Sequence, residues 1–389
     1  LKILTMILAG GTGEGLSVLT RHRARTAVPF GGRYRVIDFC LSNCVHSGLT
    51  DINILAQYNP KSLIEHIRMG KPWDLDRKHG GVTILHPSYD GEAAHWYLGT
   101  ADALYQNRDI ISNSGCDLVL VLSGDQVYTA DYGEIVAYHL SHPGPITIAC
   151  KKVAPRDSSR FGMVSCRRDG LVHQFREKPE RARTSDRASL GIYLFDARLL
   201  TRLLKGSRID IVFDMLLPMI EDRKVHAFPF ESYWEDIGSL PAYYRASMRL
   251  LRGTSLISRK GWPIYTRGED LPPARFCQGS EVSRSITACG CRIEGRVSGS
   301  ILFPGAIVEK GAEVMDSIVF SRTRIRRGAT VERTILDKDV TIGTGAMVGE
   351  VSSAAGAITV IGKGASIRNG ITVRQGRIIE PGEKVRDEG

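Results

Sequence analysis

From Cys277 onward an aliphatic residue returns every six positions, and few folds accommodate such a period. Ile301, Ile307, Val319, Ile325 and Val331 form one series, with Glu313 interrupting it. After a slip of one residue the spacing continues at Ile342 and Val348, then at Ile361, Ile367, Val373 and Ile379. Gly, Val, Ile and small residues dominate this stretch, with scarcely any helical periodicity. A parallel β-helix explains the pattern, because each short strand stacks its aliphatic residue on the coil below. Hexapeptide repeats of this type characteristically take the left-handed form, which is expected over residues 276–389.

The N-terminal part is organised differently. Apolar runs at Ile3–Leu8, Asp51–Leu55, Leu118–Leu122 and Ile146–Ala149 predict strands, and Lys61–Arg68 and Ala101–Ile111 carry helical spacing. This alternation predicts an α/β domain with a mostly parallel sheet over residues 1–251, closed by a helix at Ala242–Leu251. A linker rich in Gly, Pro and charge, residues 252–275, joins the two units. No apolar run reaches the roughly 20 residues that span a bilayer. The N-terminal run is short and meets glycines directly, so it is expected to be a core strand rather than a signal peptide. The eight cysteines show neither a C-x-x-C pair nor zinc-ligand spacing, which suits reduced thiols in a cytoplasmic protein. A net charge of +10 is dispersed rather than gathered in a tail. It points to anionic small molecules rather than nucleic acid.

The first strand runs into Ala9-Gly10-Gly11-Thr12-Gly13-Glu14-Gly15-Leu16. A Gly-rich turn between strand and helix offers backbone N–H groups and a helix N-terminus to an anion. Glu14 stands where phosphates would lie. The spacing of Gly11, Gly13 and Leu16 breaks the G-x-G-x-x-G pattern, which excludes a dinucleotide-dependent oxidoreductase. An acyltransferase built on the β-helix needs a histidine base, and no His follows His226.

Further motifs appear in order: Arg23-Ala24-Arg25-Thr26-Ala27-Val28-Pro29, Trp96-Tyr97-Leu98-Gly99-Thr100-Ala101-Asp102, Leu122-Ser123-Gly124-Asp125-Gln126, Phe175-Arg176-Glu177-Lys178-Pro179, Ala188-Ser189-Leu190-Gly191-Ile192-Tyr193 and Tyr233-Trp234-Glu235-Asp236-Ile237-Gly238. Together they closely resemble the bacterial ADP-glucose pyrophosphorylase (glucose-1-phosphate adenylyltransferase) family, and the resemblance covers essentially the whole chain. It implies a Rossmann-like nucleotidyltransferase (GT-A-like) domain followed by the β-helix. It also implies transfer of the adenylyl group of ATP to glucose 1-phosphate, with release of pyrophosphate, for glycogen- or starch-type glucan synthesis.

By the same resemblance Asp125 and Asp236 would hold Mg²⁺, and Asp125, Arg25 and Lys178 would carry catalysis. The end of a parallel strand is where open α/β sheets bind ligands, which suits Asp125, although an Asp there also caps turns. Ala9, Gly10, Gly11, Gly13, Gln57, Trp96, Gly99 and Thr100 are expected on the nucleotide. Tyr97, Glu177, Lys178, Ser189, Gly191 and Trp234 are expected on the sugar phosphate. The alternatives are a solvated turn for Glu177 and Lys178 and core aromatics for Trp96 and Tyr97. Arg23 and Arg35 match positions near anionic allosteric effectors. The exposed series Arg322, Arg324, Arg326, Arg327 and Arg333 is either an effector surface or a solubilising one. A homotetramer, or a hetero-tetramer with a paralogue, is implied.

The departures from the family fall on charged positions. Gly15 replaces an arginine of the phosphate loop, and Arg25 replaces a lysine. A transition-state arginine is worth about 10³–10⁵ in rate. The loop sequence alone therefore predicts that Gly15→Arg with Arg25→Lys and Glu14→Thr raises turnover at least about tenfold. The same departures leave open a catalytically impaired regulatory subunit that modulates an active paralogue. Near the sugar, the family's Asp-Phe-Gly segment corresponds to Asp210-Ile211-Val212-Phe213-Asp214, where either aspartate fits.

Overall fold

The computed structural model describes residues 1–87, 96–180, 183, 185–206, 208–253, 261–350 and 357–387. Its N-terminal part is built on a nine-stranded sheet. The Ile3–Ala9 strand lies between parallel neighbours, Asp51–Ala56 and Leu118–Ser123, and Gly81–Leu85 extends the sheet beyond Asp51–Ala56. These strands are near-continuous Ile, Leu and Val, as burial on both faces requires. Two hydrophobic clusters pack against them, one around Leu41, Ile54 and Tyr132 and the other around Leu104, Val119 and Phe195.

The long Arg187–Asp196 strand runs antiparallel to Leu118–Ser123 and pairs on its other side with Ile146–Lys151 and Met163–Cys166. Its register with Ile146–Lys151 breaks between Ser189 and Tyr193. Gly191 lies in that break at φ 65°, a left-handed conformation that glycine adopts without Cβ strain. The break turns this strand's backbone toward the end of Leu118–Ser123, where the site forms.

The helix expected at Ala101–Ile111 is two helices, Thr100–Gln106 and Arg108–Asn113, and the one expected at Ala242–Leu251 is Leu240–Arg249. No α-helix follows the Gly-rich turn. Glu14–Thr20 forms tight 3₁₀ turns broken at Ser17, whose φ is 48°. The anion-binding helix N-terminus expected here is therefore corrected to a loop, which Thr20 Oγ1 pins by donating to the Gly13 and Ser17 carbonyls.

From Arg275 to Val385 three parallel sheets of seven, six and six strands enclose an aliphatic column, the hexapeptide β-helix expected from the sequence. Its interior register corrects the ladder. Inward residues stack as Val308 on Ile325 on Ile342, as Val314 on Val331 on Val348, and as Leu302 on Val319 on Leu336. Each such coil falls one residue short of three full hexapeptides, so a strict period of six slips once per turn. Leu302, Val308 and Val314 fill the places assigned to Ile301, Ile307 and Glu313. Glu313 does not interrupt the column, because it faces outward beside buried Val314.

Ile301 is buried for a different reason. Ile301, Ile318, Ile335 and Val360 form an aliphatic flank outside the column that packs on Phe30, Phe39 and Tyr243 of the N-terminal part. Polar contacts cross the same boundary. Tyr244 donates its hydroxyl to the Asp316 carbonyl, and Arg23 pairs with Asp337, while on the N-terminal side Tyr243 is held by donating to the Pro29 carbonyl. The linker segment around Trp262 docks on the Val36–His46 helix, where the His46 ring stacks on Tyr265 and packs at a tilt against Trp262. Linker residues 254–260 lie outside the described residues. All eight cysteines are free thiols, with Cys40, Cys44, Cys150 and Cys291 fully enclosed. No helix among the described residues is long and apolar enough to cross a membrane.

Candidate active site

The C-terminal ends of the parallel strands open onto two adjoining cavities of about 370 Å³ each. Both are lined by Thr100, Ser123 and Asp125, so Asp125 stands at their junction.

Gly10, Gly11 and Thr12 line the first cavity with Gln57, Tyr97, Gly99 and Thr100. Gln57 is a clamp: its side-chain amide accepts from the Tyr97 N–H at 2.6 Å and donates to the Tyr97 carbonyl at 3.3 Å. Asp102 accepts from the Leu98 N–H, and Thr100 Oγ1 accepts from Ile211 N–H, so the 97–100 wall is held from three sides. A Cβ at Gly99 would overlap the Ile209 carbonyl, which explains glycine there. Ala9 is buried at the strand end and Gly13 faces Thr20, so neither lines this cavity. Trp96 is half-exposed and stacks on Tyr58 at the cavity's rim. Tyr97, expected on the sugar side, lines this first cavity instead.

The second cavity gathers Glu177, Lys178, Ser189 and Gly191 with Arg25, Gln126, Tyr193 and Asp236. A Cβ on Gly191 would meet Ser123 Cβ at 3.0 Å, so only glycine lets this wall approach the Asp125 strand without displacing it. Lys178 is fixed by its N–H donating to the Phe161 carbonyl, and its ammonium lies 3.5 Å from Glu177. Trp234 does not line the cavity. It donates its indole N–H to Gln126 at 2.9 Å and packs edge-on against Phe161, bracing two residues that do. Asp210 and Asp214 cap the backbone of 209–213, and neither lines the cavity. Val212 is the residue of this segment that does.

A two-stranded ribbon brings the aspartates together. Gln126–Tyr128 pairs antiparallel with Trp234–Asp236, setting Asp236 opposite Gln126 and next to Asp125. Arg25 is ion-paired to Asp125 at 2.5 Å, and Ser123 Oγ donates to the other Asp125 oxygen at 2.6 Å. Arg160 is ion-paired to Asp236, which also accepts from the Gly238 N–H. Burial pushes the Asp236 carboxyl above the ordinary range, Arg160 opposes this, and the neighbouring Asp125 carboxylate adds to it. Among the described residues no cluster of three or more metal-ligating side chains occurs. Two carboxylates still suit Mg²⁺, which takes few protein ligands and completes its shell with phosphate and water oxygens. Guanidinium groups already stand on both carboxylates, so the site favours positive charge.

Arg160 escaped the sequence reading. It ends a short turn, Pro155–Arg160, and carries no periodic or motif signal. Arg23, expected near an effector, lies at the boundary with the β-helix. It is buried in a bidentate pair with Asp337 of the β-helix, at 2.7 and 3.0 Å, and lines none of the cavities described here. Arg35 donates to Ser62 and lines a third cavity, of about 920 Å³, between the N-terminal part and the β-helix. Of the arginine series on the β-helix, Arg322 alone lines that cavity, and it is paired with Asp339.

Comparison with known proteins agrees with this geometry. The nucleotidyl transferase family profile matches residues 4–253, and the GlmU-like C-terminal hexapeptide profile matches residues 272–358. A glucose-1-phosphate adenylyltransferase of Thermomicrobium roseum is 44% identical, covering 99% of this chain and 94% of that protein. Those of Bacillus thuringiensis and Bacillus anthracis are 40% identical, covering 89% of this chain and 94% of theirs. With cavity, strand order and β-helix in agreement, the chain belongs to the nucleotidyl transferase family and, within it, to the group of the glucose-1-phosphate adenylyltransferases.

Proposed function

We propose that this chain transfers the adenylyl group of ATP to glucose 1-phosphate, giving ADP-glucose and pyrophosphate. The observation that carries this reading is the meeting of two cavities at Asp125. The nucleotide occupies the Gly10–Gln57–Thr100 cavity and the sugar phosphate the Glu177–Ser189–Gly191 cavity. A phosphate oxygen of the sugar then attacks the α-phosphorus, forming one P–O bond as the bond to pyrophosphate breaks. Asp125 and Asp236 would hold Mg²⁺, which supplies positive charge for the phosphates when bound. Arg25 and Lys178 add fixed positive charge from the chain itself, worth most where it faces charge that grows in the transition state.

The large cavity between the two parts suits an anionic effector. Arg33, Arg35, Arg267, Arg322 and Lys338 line it against Glu65, Glu269 and Asp270. Burial lowers Lys338 to about 8, with Arg35 and Arg23 adding to the effect, and burial lowers Arg35 to about 10. A dianionic phosphate ester would relieve this crowding of positive charge. A tetramer assembled through the β-helix, and a place in glucan synthesis in the cytoplasm, complete the proposal.

A second reading is favoured by the phosphate loop, which carries Glu14 and no cation from Gly11 to Leu16. On it the chain is a regulatory subunit that binds sugar phosphate or effector without turnover. Pyrophosphate release by the purified chain, with ATP, glucose 1-phosphate and Mg²⁺, separates the two. Turnover supports the enzyme. Absent turnover with retained effector binding supports the regulator.

A further inference from the structure

We propose that Arg160 is a phosphate-binding residue of the sugar-phosphate cavity, one that exchanges its partner Asp236 for the substrate's phosphate. The inference rests on the adenylyltransferase reading above and deepens it. Three cations line that cavity: Arg25, Lys178 and Arg160. Lys178 is the most exposed of them and already lies near Glu177. Arg25 is held against Asp125. Arg160 is about one-third exposed, pairs with Asp236, and lies over the Phe161 ring at 5.2 Å from its centroid.

The exchange follows from charge and geometry. An arginine on each of two neighbouring carboxylates neutralises the pair, and it also occupies oxygens that a divalent cation needs. An incoming phosphate dianion offers Arg160 a bidentate acceptor of higher charge than a carboxylate. Once Arg160 turns to it, the Asp236 oxygen is free for a hard cation. The backbone beneath is fixed, so the movement belongs to the side chain. The Pro155–Arg160 turn is tied by Ser158, a buried residue whose hydroxyl donates to the Pro155 carbonyl, and the Phe161 N–H donates to the Ser158 carbonyl. The arrangement also places a cation near the reacting phosphates in a chain whose phosphate loop has none.

The test compares the full-length protein with Arg160→Gln and Arg160→Lys. Mn²⁺ affinity without substrate is read by electron paramagnetic resonance, and glucose 1-phosphate affinity with Mn²⁺ by calorimetry. Arg160→Gln is expected to bind Mn²⁺ several-fold more tightly, because a competing cation is gone, and glucose 1-phosphate about tenfold more weakly. Arg160→Lys should recover part of the sugar-phosphate affinity. If Arg160 merely braces Asp236, Arg160→Gln weakens or leaves unchanged Mn²⁺ binding and spares glucose 1-phosphate, and that result overturns the proposal. Both readouts are binding measurements. A wild-type chain that binds both ligands but forms no ADP-glucose therefore refutes the adenylyltransferase reading and still judges Arg160.

Discussion

Gly15 and Gly238 meet backbone to backbone, so closely that a Cβ at position 15 would overlap the Gly238 carbonyl oxygen. Gly238 in turn donates its N–H to Asp236. The shortened side chain of the phosphate loop is thus packed against the turn that carries one of the paired aspartates. The contact reverses the expectation drawn from the loop sequence. Gly15→Arg, alone or with Arg25→Lys and Glu14→Thr, is expected to gain no turnover, because the Gly238 turn must move to admit it. Gly15→Ala should already destabilise the protein by about 1–3 kcal/mol, as overpacking does. Thermal unfolding beside initial rates of pyrophosphate release checks both statements, and a faster, equally stable Gly15→Arg variant would refute them.

Arg23 and Asp337 join the two parts of the molecule through a buried bidentate pair. Removing one partner strands the other charge. Arg23→Ala or Asp337→Ala should cost about 3–5 kcal/mol in denaturant unfolding. The double variant Arg23→Met with Asp337→Leu should recover much of that loss. A loss of effector response at full stability would instead return Arg23 to the role the sequence suggested.

Gly191 should tolerate no side chain. Alanine there adopts φ 65° at a cost of about 1–2 kcal/mol and presses on Ser123. The expected outcome for Gly191→Ala is a KM for glucose 1-phosphate raised at least about fivefold, with the KM for ATP less affected. Equal changes in both constants would place Gly191 outside the sugar wall.

Lys338 gives the inter-part cavity a pH dependence. Its pKa is lowered to about 8, so its charge disappears as pH rises through that value while an unfolded chain stays protonated. Stability should therefore rise with pH between about 8 and the ordinary lysine range, where the unfolded state binds more protons. Inorganic phosphate should bind the cavity more weakly over the same interval. Denaturant midpoints and phosphate calorimetry at pH 7.5 and 9.5 read the two slopes, and Lys338→Met should flatten both.

The strands were legible because burial on both faces leaves an uninterrupted aliphatic run, as at Leu118–Ser123. The β-helix was legible through its period, yet its register was not, since the residue missing from each coil between Leu302 and Val348 moves Val308 and Val314 into places that Ile307 and Glu313 held by counting. Asp125 and Asp236 could be paired only through family motifs, because the ribbon that aligns them closes over more than a hundred residues. The pairing of Arg23 was hidden for a related reason. Its partner Asp337 lies in another part of the chain, and nothing near either residue announces the pair. Arg160 shows the converse, where a site residue is recruited by the shape of a turn rather than by any pattern.

The aliphatic flank of Ile301, Ile318, Ile335 and Val360 makes the solenoid a keel for the nucleotide-binding half. Turns along that keel cannot be gained or lost without shifting the seat of Phe30 and Phe39. Relatives that differ in length should therefore keep the number of coils between Ile301 and Val360, as this chain does where 25 residues rather than 17 separate the paired Ile335 and Val360.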